Sequence, residues 1–168
     1  MNRSQPAAVV AYVGLGSNLF DPHRQIMSAR AAIKMAPGIR EFAFSSLYSS
    51  PPMGPPDQPD YVNAVMAVET TLSPMELLRA LQSIESDHGR IRQGERWGPR
   101  TLDLDLLLYG RGIINLPELT VPHVGIGERA FVLYPLLEIA PEINIPGMGM
   151  LNDVIRNCPR EGLRRLPG

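Results

Sequence analysis

At 168 residues, 44% of them hydrophobic, the chain is long enough to bury one core and too short for two, so a single domain over residues 1–168 is expected. A formal net charge of -1 supplies no general field for drawing in nucleic acid or an anionic membrane, so any polyanion must be held by local clusters. The single cysteine, Cys158, excludes an internal disulfide and a cysteine cage for zinc, and reads as a partly buried small hydrophobe in a reducing compartment.

The N-terminus runs without a signal-type pattern into the short apolar stretch Ala7 to Val13, and no 18-residue apolar run follows, so a cytoplasmic location is expected. Ala7 to Gly14 reads as a buried strand. Asp21-Pro22 then supplies an N-cap and a first-turn proline for a helix whose apolar stripe is Ile26, Ala29, Ile33 and Ala36, with Pro37-Gly38 as its stop. Arg40 to Ser49 carries Phe42, Phe44 and Tyr48 at period two, which predicts a strand. A further strand, Tyr61 to Thr70, alternates Val62, Ala64, Met66 and Val68 with Tyr61, Asn63 and Val65, and Asn63 is polar where a strand is otherwise apolar.

Ser73-Pro74-Met75-Glu76 matches a capping box, predicting a helix from Pro74 to about His88 with Leu77, Leu78, Leu81 and Ile84 inward and Gly89 as C-cap. Leu102 to Tyr109 is a strand. The order strand-helix-strand, twice over, predicts an α+β ferredoxin-like sandwich with antiparallel inner strands on one largely antiparallel sheet. The last third is expected to elaborate that core with a short strand at Ile113-Ile114, a strand near Phe131 to Leu136 and a helix near Met150 to Arg156. Two connections are long: Ser49 to Asp60, with five prolines, and Gly89 to Thr101, with four arginines and Trp97. Loops of that length in a compact domain are functional or disordered.

In Leu102-Asp103-Leu104-Asp105-Leu106 the carboxylates lie two apart on a strand, so both leave one face while the leucines enter the core. Such a pair suits magnesium, which takes one or two protein carboxylates and leaves its other positions to water and phosphate oxygens. An ordinary solvated sheet face explains the same pair. The preceding loop places Arg90, Arg92, Arg96 and Arg100 against Glu95 alone, and guanidinium forks match phosphate oxygens while Trp97 offers a flat face. An exposed basic loop is the alternative; next to two strand aspartates, a metal-triphosphate cradle accounts for both features.

Other nucleotide motifs fail. Gly14-Leu15-Gly16-Ser17-Asn18-Leu19 starts as a dinucleotide fingerprint but has leucine where glycine or alanine is needed, and Lys34, the sole lysine, has no glycine before it as a Walker A motif requires. Gly-Ser with a later Asp-x-Asp resembles nucleotidyltransferases, but there the acids follow closely and here Ser17 and Asp103 are far apart in sequence. His123 could meet a phosphate, though a lone histidine is as readily structural; His23 and His88 lack partners at useful spacing.

Taken together, these segments resemble the 6-hydroxymethyl-7,8-dihydropterin pyrophosphokinase family of folate biosynthesis. Arg96 to Gly110 (RWGPRTLDLDLLLYG) is similar to that family's signature, Gly14 to Leu19 to its first strand-turn, Pro51 to Ala64 to its pterin loop, and Leu119 to His123 to its late nucleotide loop. The resemblance implies transfer of the β,γ-diphosphoryl unit of ATP to the pterin hydroxymethyl oxygen, giving AMP and the pterin diphosphate. It further implies that Asp103 and Asp105 bind two magnesium ions and that Arg90 and Arg92 act with them in catalysis. Gln82, Glu85, Trp97, Arg100, Thr120, His123 and Arg129 are implied for ATP, with Gln82 and Glu85 on the exposed side of the second helix. The implied pterin site comprises Tyr61 or Trp97 and Phe131 as faces, with Asn63 and the neighbourhood of Ser50, Pro52 and Met53 reading the edge. Asn63 then has a reason to be polar, since an amide both donates and accepts.

One stretch departs from the family pattern. After His123 many members carry an aromatic and polar residues, whereas here Val124-Gly125-Ile126-Gly127-Glu128 precedes Arg129, and the two glycines suggest a mobile loop. Small-molecule substrates only are expected, with neither nucleic acid nor membrane as a partner and the chain as a monomer. Two other readings differ in products: a ferredoxin-like binding module for nucleotide or RNA would release no AMP, and a two-metal nucleotidyltransferase would release pyrophosphate.

Overall fold

The computed structural model describes residues 7–19, 21–51, 59–88, 102–160 and 162–167. In chain order its elements are β1 (Val9–Ser17), α1 (Pro22–Met35), β2 (Ile39–Phe44), β3 (Tyr48–Ser50), β4 (Tyr61–Thr70), α2 (Pro74–Asp87) and β5 (Asp103–Tyr109). There follow β6 (Ile114–Leu116), β7 (Leu119–Val121), a 3-10 turn (Ile126–Glu128), α3 (Ala130–Ile139), β8 (Asn144–Ile145), β9 (Gly149–Met150), α4 (Leu151–Ile155) and β10 (Arg164–Arg165).

Strand β1 lies between β4 and β5, antiparallel to both. Along the other edge of β4, β2 pairs with one end and β3 with the other, and β10 adds outside β3. This is the expected antiparallel ferredoxin-like order. Helices α1 and α2 cover one face of the sheet, over a core that includes Val13, Leu15, Ile26, Ile33, Met66, Leu77, Leu81, Leu104 and Leu106. The opposite face carries a second core in which Val65, Leu107 and Leu108 meet Val132, Leu133 and Leu136 of α3 and Leu151 of α4. On that same face, along the strand ends that bear Asp103, Gly16 and Asn63, lies the candidate site.

Local chemistry explains the helices. The Asp21 side chain accepts Arg24 N–H at the start of α1, with Pro22 behind it, and Ile26, Ala29 and Ile33 are its buried stripe. At α2 both bonds of the capping box form: Glu76 N–H donates to Ser73 Oγ at 3.2 Å and Ser73 N–H to Glu76 Oε1 at 2.8 Å. His88 caps α2 in place of Gly89, which lies outside the described residues.

Three expectations need correction. The stretch Arg40 to Ser49 is two strands, β2 and β3, parted at residues 45–47, and within β2 a bulge between Glu41 and Ala43 shifts the register, leaving Phe42 59% exposed while Tyr48 is buried. Ser45 makes the corner between them: its N–H donates to Val65 O, and its hydroxyl accepts Val65 N–H at 2.9 Å. The segment Phe131 to Leu136, expected as a strand, is helical. A short apolar run has no decisive period, and its buried set, Val132, Leu133, Pro135 and Leu136, fits a helix stripe. Lastly, β1 extends to Ser17, past Gly14, since Gly16 and Ser17 stay in register with Asn63 and Val62. The remaining elements fall close to expectation, with the Ile113-Ile114 strand found as β6 and paired to β7.

Candidate active site

Directly paired residues in an antiparallel sheet point to one face. On the face opposite α1 and α2, the register aligns Asp103 with Gly16, Gly16 with Asn63, and Asn63 with Tyr48, so a single row crosses β5, β1, β4 and β3. The adjacent row sets Asp105 beside Gly14 and Gly14 beside Val65. At the two β1 positions there is no side chain, so the acids on one flank and the amide on the other look across bare backbone. Close approach matters most at Gly16, where a Cβ would stand 3.1 Å from Asn63 Oδ1.

Asp103 and Asp105 are half-exposed while Leu104 and Leu106 are buried, as the alternation requires. The expectation for Glu85 is corrected: it is 5% exposed, and its carboxylate accepts Leu104 N–H at 2.8 Å. Strand β5 is a sheet edge, so its outward N–H groups need an acceptor, and α2 lies close enough to give one. The peptide between the two aspartates is thereby tied to α2. Gln82, a helical turn earlier, is exposed, and Arg79 links its Oε1 at 3.5 Å to the Glu118 carboxylate at 2.9 Å, bringing α2 to the hairpin that bears exposed Thr120.

Flanking the acids is the connection from β7 to α3. His123 N–H donates to Leu107 O, its Nδ1 accepts Gly125 N–H at 3.2 Å, and its Nε2 lies 3.9 Å from Asp105 Oδ1. Because Nδ1 is an acceptor, the ring proton belongs on Nε2, facing the aspartate. Burial pushes the imidazole below its ordinary 6.5; Asp105 opposes this and Arg129 adds to it. Arg129 caps α3, its carbonyl taking Val132 and Leu133 N–H, and its guanidinium lies 5.7 Å from the centre of the Phe131 ring. The segment expected to be mobile on account of its glycines is folded on itself, with Ile126 N–H on His123 O, Glu128 N–H on Gly125 O and Ile126 buried. Its glycines admit neighbours: Arg129 packs against Gly125, and the Met148 methyl against Gly127.

On the far flank, Asn63 is 4% exposed and donates Nδ2 to Ser50 Oγ at 2.7 Å. Tyr61 pairs with Ser50 and is half-buried, as is Phe131. The Tyr48 hydroxyl donates to Glu138 of α3 at 2.7 Å, and that carboxylate also accepts the N–H and hydroxyl of Ser46. Burial and the Glu138 charge raise the Tyr48 phenol to about 12. Asn18, at the end of β1, is buried; its Nδ2 donates to Pro59 O at 3.3 Å, and among the described residues its Oδ1 has no partner.

The structure therefore gathers Asp103, Asp105, His123 and Arg129 on one flank of the glycine floor and Ser50, Tyr61 and Asn63 on the other. Pro52, Met53, Arg90, Arg92, Trp97 and Arg100 lie outside the described residues. Sequence reasoning missed the roles of Gly14 and Gly16 as floor, Tyr48 and Glu138 as a bolt between β3 and α3, and Gly125 as a space. The G-x-G inside an otherwise apolar strand was the one signal for the floor. Among the described residues, no group of three or more His, Cys, Asp or Glu side chains is arranged to hold a metal ion, and no helix is long and apolar enough to cross a membrane.

The comparisons with known proteins converge. The family model described as 7,8-dihydro-6-hydroxymethylpterin-pyrophosphokinase (HPPK) matches residues 12–141. Over 157 residues the chain is 52% identical to the 2-amino-4-hydroxy-6-hydroxymethyldihydropteridine pyrophosphokinase of Pseudomonas aeruginosa, covering 94% of this chain and 96% of that one. The Haemophilus influenzae protein of the same name is 47% identical over 148 residues, covering 88% and 92%. Among solved structures, Plasmodium falciparum HPPK-DHPS with pteroate aligns with a TM-score of 0.72 over 92% of this chain at 13% identity, a likeness of fold. This chain spans 43% of that longer one.

Proposed function

The chain belongs to the 7,8-dihydro-6-hydroxymethylpterin-pyrophosphokinase family, and from that premise we propose that the glycine-floored sheet face is where ATP and the pterin meet. The activity is transfer of the β,γ-diphosphoryl unit of ATP to the hydroxymethyl oxygen of 6-hydroxymethyl-7,8-dihydropterin, in folate biosynthesis. The bond formed is from that oxygen to the β-phosphorus; the bond broken joins the β-phosphorus to the bridging oxygen, which leaves with AMP. The observation that carries the assignment of the site is the register row Asp103–Gly16–Asn63, which sets a carboxylate and a buried amide on the two sides of a strip with no side chain.

Asn63 is the edge-reader for the pterin: its Nδ2 is engaged by Ser50 and its Oδ1 faces the Gly16 strip, where a ring N–H could donate. Tyr61 and Phe131 offer ring faces. On the nucleotide side, Nε2–H of His123 is a neutral donor and Arg129 a permanent cation, both suited to phosphate oxygens. Exposed Gln82 and Thr120 belong to the same side in the reading from sequence, while buried Glu85 acts through its bond to Leu104 N–H. Arg90, Arg92, Trp97 and Arg100 complete the reading from sequence.

Asp103 and Asp105 fit divalent magnesium, since they are hard oxygen donors on one face, half-exposed, beside backbone that leaves space for phosphate. When bound, the metal, read as two ions, neutralises triphosphate charge and acidifies the attacking hydroxyl. The protein's own share is positioning: Glu85 fixes the peptide between the acids, Gly125 N–H sets the His123 ring, and the bolt at Glu138 holds α3 against β3. No described side chain is placed as a strong base toward the pterin.

The test is product identity. The protein incubated with ATP, magnesium and 6-hydroxymethyl-7,8-dihydropterin is expected to give AMP and the pterin diphosphate. Formation of ADP or free pyrophosphate in their place would overturn the reading.

A further inference from the structure

The turn after His123 holds its geometry through a residue with no side chain. A Cβ at Gly125 would stand 2.5 Å from Arg129 Nε, 2.9 Å from its Cζ and 3.2 Å from its Cδ. The backbone there, at φ -95 and ψ 5, is one that residues with side chains also adopt, so conformational freedom does not explain the glycine. Space does. The stem of Arg129 lies in the gap where a side chain would be, and the N–H of the same residue holds Nδ1 of His123.

We propose that Gly125 is a positioning residue for the nucleotide side of this site: its missing side chain is the slot that sets the Arg129 guanidinium beside His123 and over the ring of Phe131, 5.7 Å from its centre. The inference rests on the reading that Arg129 meets the triphosphate, and it adds which residue aims it. The scaffold around the slot is independent of it. Ile126 is buried, Ile126 and Glu128 N–H are bonded within the turn, and the backbone of Arg129 is fixed by Val132 and Leu133 N–H on its carbonyl. The atoms that a Cβ would strike belong to the flexible part of one arginine. Gly125→Ala therefore displaces a guanidinium and leaves the backbone where it is. A charged hydrogen bond to phosphate depends on direction as well as on charge, so an arginine pushed aside loses affinity without losing its cation.

The experiment is a double-mutant cycle read by calorimetry, using the magnesium complex of α,β-methylene-ATP, in which the bond broken in the reaction is replaced by an inert one. Wild type, Gly125→Ala, Arg129→Ala and the double variant are compared, with pterin affinity and thermal midpoint alongside. Gly125→Ala is expected to weaken the analogue roughly tenfold, the order of one misdirected charged hydrogen bond, with pterin affinity and midpoint near wild type. In the Arg129→Ala background the same substitution is expected to change nothing, because no side chain remains to be displaced. A purely structural glycine would instead weaken both backgrounds alike, and that result overturns the proposal. So does a Gly125→Ala variant that binds the analogue as wild type does while Arg129→Ala binds it poorly. If Arg129→Ala itself binds normally, the nucleotide reading of Arg129 falls, and this inference with it. Should Gly125→Ala alone fail to fold, the double variant decides: folding and binding as Arg129→Ala does supports the slot, and failure to fold overturns it.

Discussion

The Glu85 carboxylate accepts the backbone N–H of Leu104, the residue between the two aspartates, at 2.8 Å in a buried setting. Replacing Glu85 by alanine leaves that donor without an acceptor at the sheet edge, at a cost of about 1–3 kcal/mol. For a chain of this size the thermal midpoint should fall by roughly 2–12 °C. Glutamine, whose amide oxygen can still accept, should lose less. Thermal unfolding of both variants is the check, and an alanine variant as stable as wild type would show that the edge finds another acceptor.

Asp105→Ala should abolish AMP formation at saturating magnesium, and Asp103→Ala should do so too, since each removes one of the two proposed hard ligands from a face that has no third carboxylate in its register rows. Retention of more than roughly a tenth of wild-type turnover by either variant would sink the two-carboxylate role.

Asn63→Ala deletes the amide that faces the Gly16 strip and strips Ser50 of its donor. Pterin affinity should fall by about 5- to 150-fold, corresponding to about 1–3 kcal/mol for lost hydrogen bonds in a buried site. Affinity for the ATP analogue should stay within about twofold of wild type, because the groups proposed for the nucleotide lie on the opposite flank. Direct titration of each ligand separates the two, and matched losses would place Asn63 outside the pterin site.

Glu138 carries a pH signature. Burial alone would raise its pKa, but hydrogen bonds from Tyr48 and Ser46, aided by Arg165, outweigh it and hold the carboxyl below its ordinary 4.5. A carboxyl with a depressed folded value stabilises the fold above 4.5, and that contribution disappears as pH falls through the lower, folded value. Glu138→Ala should therefore be less stable than wild type at neutral pH, with the gap closing as the solution becomes more acidic than that range. Calorimetric midpoints taken from neutral to strongly acidic pH would show it; a gap that widens in acid would mean the sign is wrong.

Much of this was legible in the chain because local signals agreed with tertiary demands. The capping box at Ser73 and Glu76, the stripe of α1 and the polar Asn63 in an apolar strand each mark what the fold uses. The failures share a cause: information carried by a neighbour. In β5 an irregularity in the pairing, where Val13 faces Leu106 and Tyr12 faces Leu108, leaves Leu107 on the face of the two acids but turns Tyr109 to the α1/α2 core, a change set by β1 and not by β5 itself. Glu85 reads as exposed until the edge of β5 is placed beside it. Residues Phe131 to Leu136 are as apolar as a strand and become a helix because a stripe of them must cover Val65 and Leu107.

The bare strip at Gly16 bears on how inhibitors of such a site would fare over time. A compound that lies against backbone gives a point mutation little to alter, since any side chain introduced there grows toward Asn63 Oδ1. An exchange that crowds out the compound would also press on the amide proposed to read the substrate. Resistance would have to arise at the rim, among the side chains that frame the strip, and contacts confined to the strip itself would be the most durable part of such a molecule.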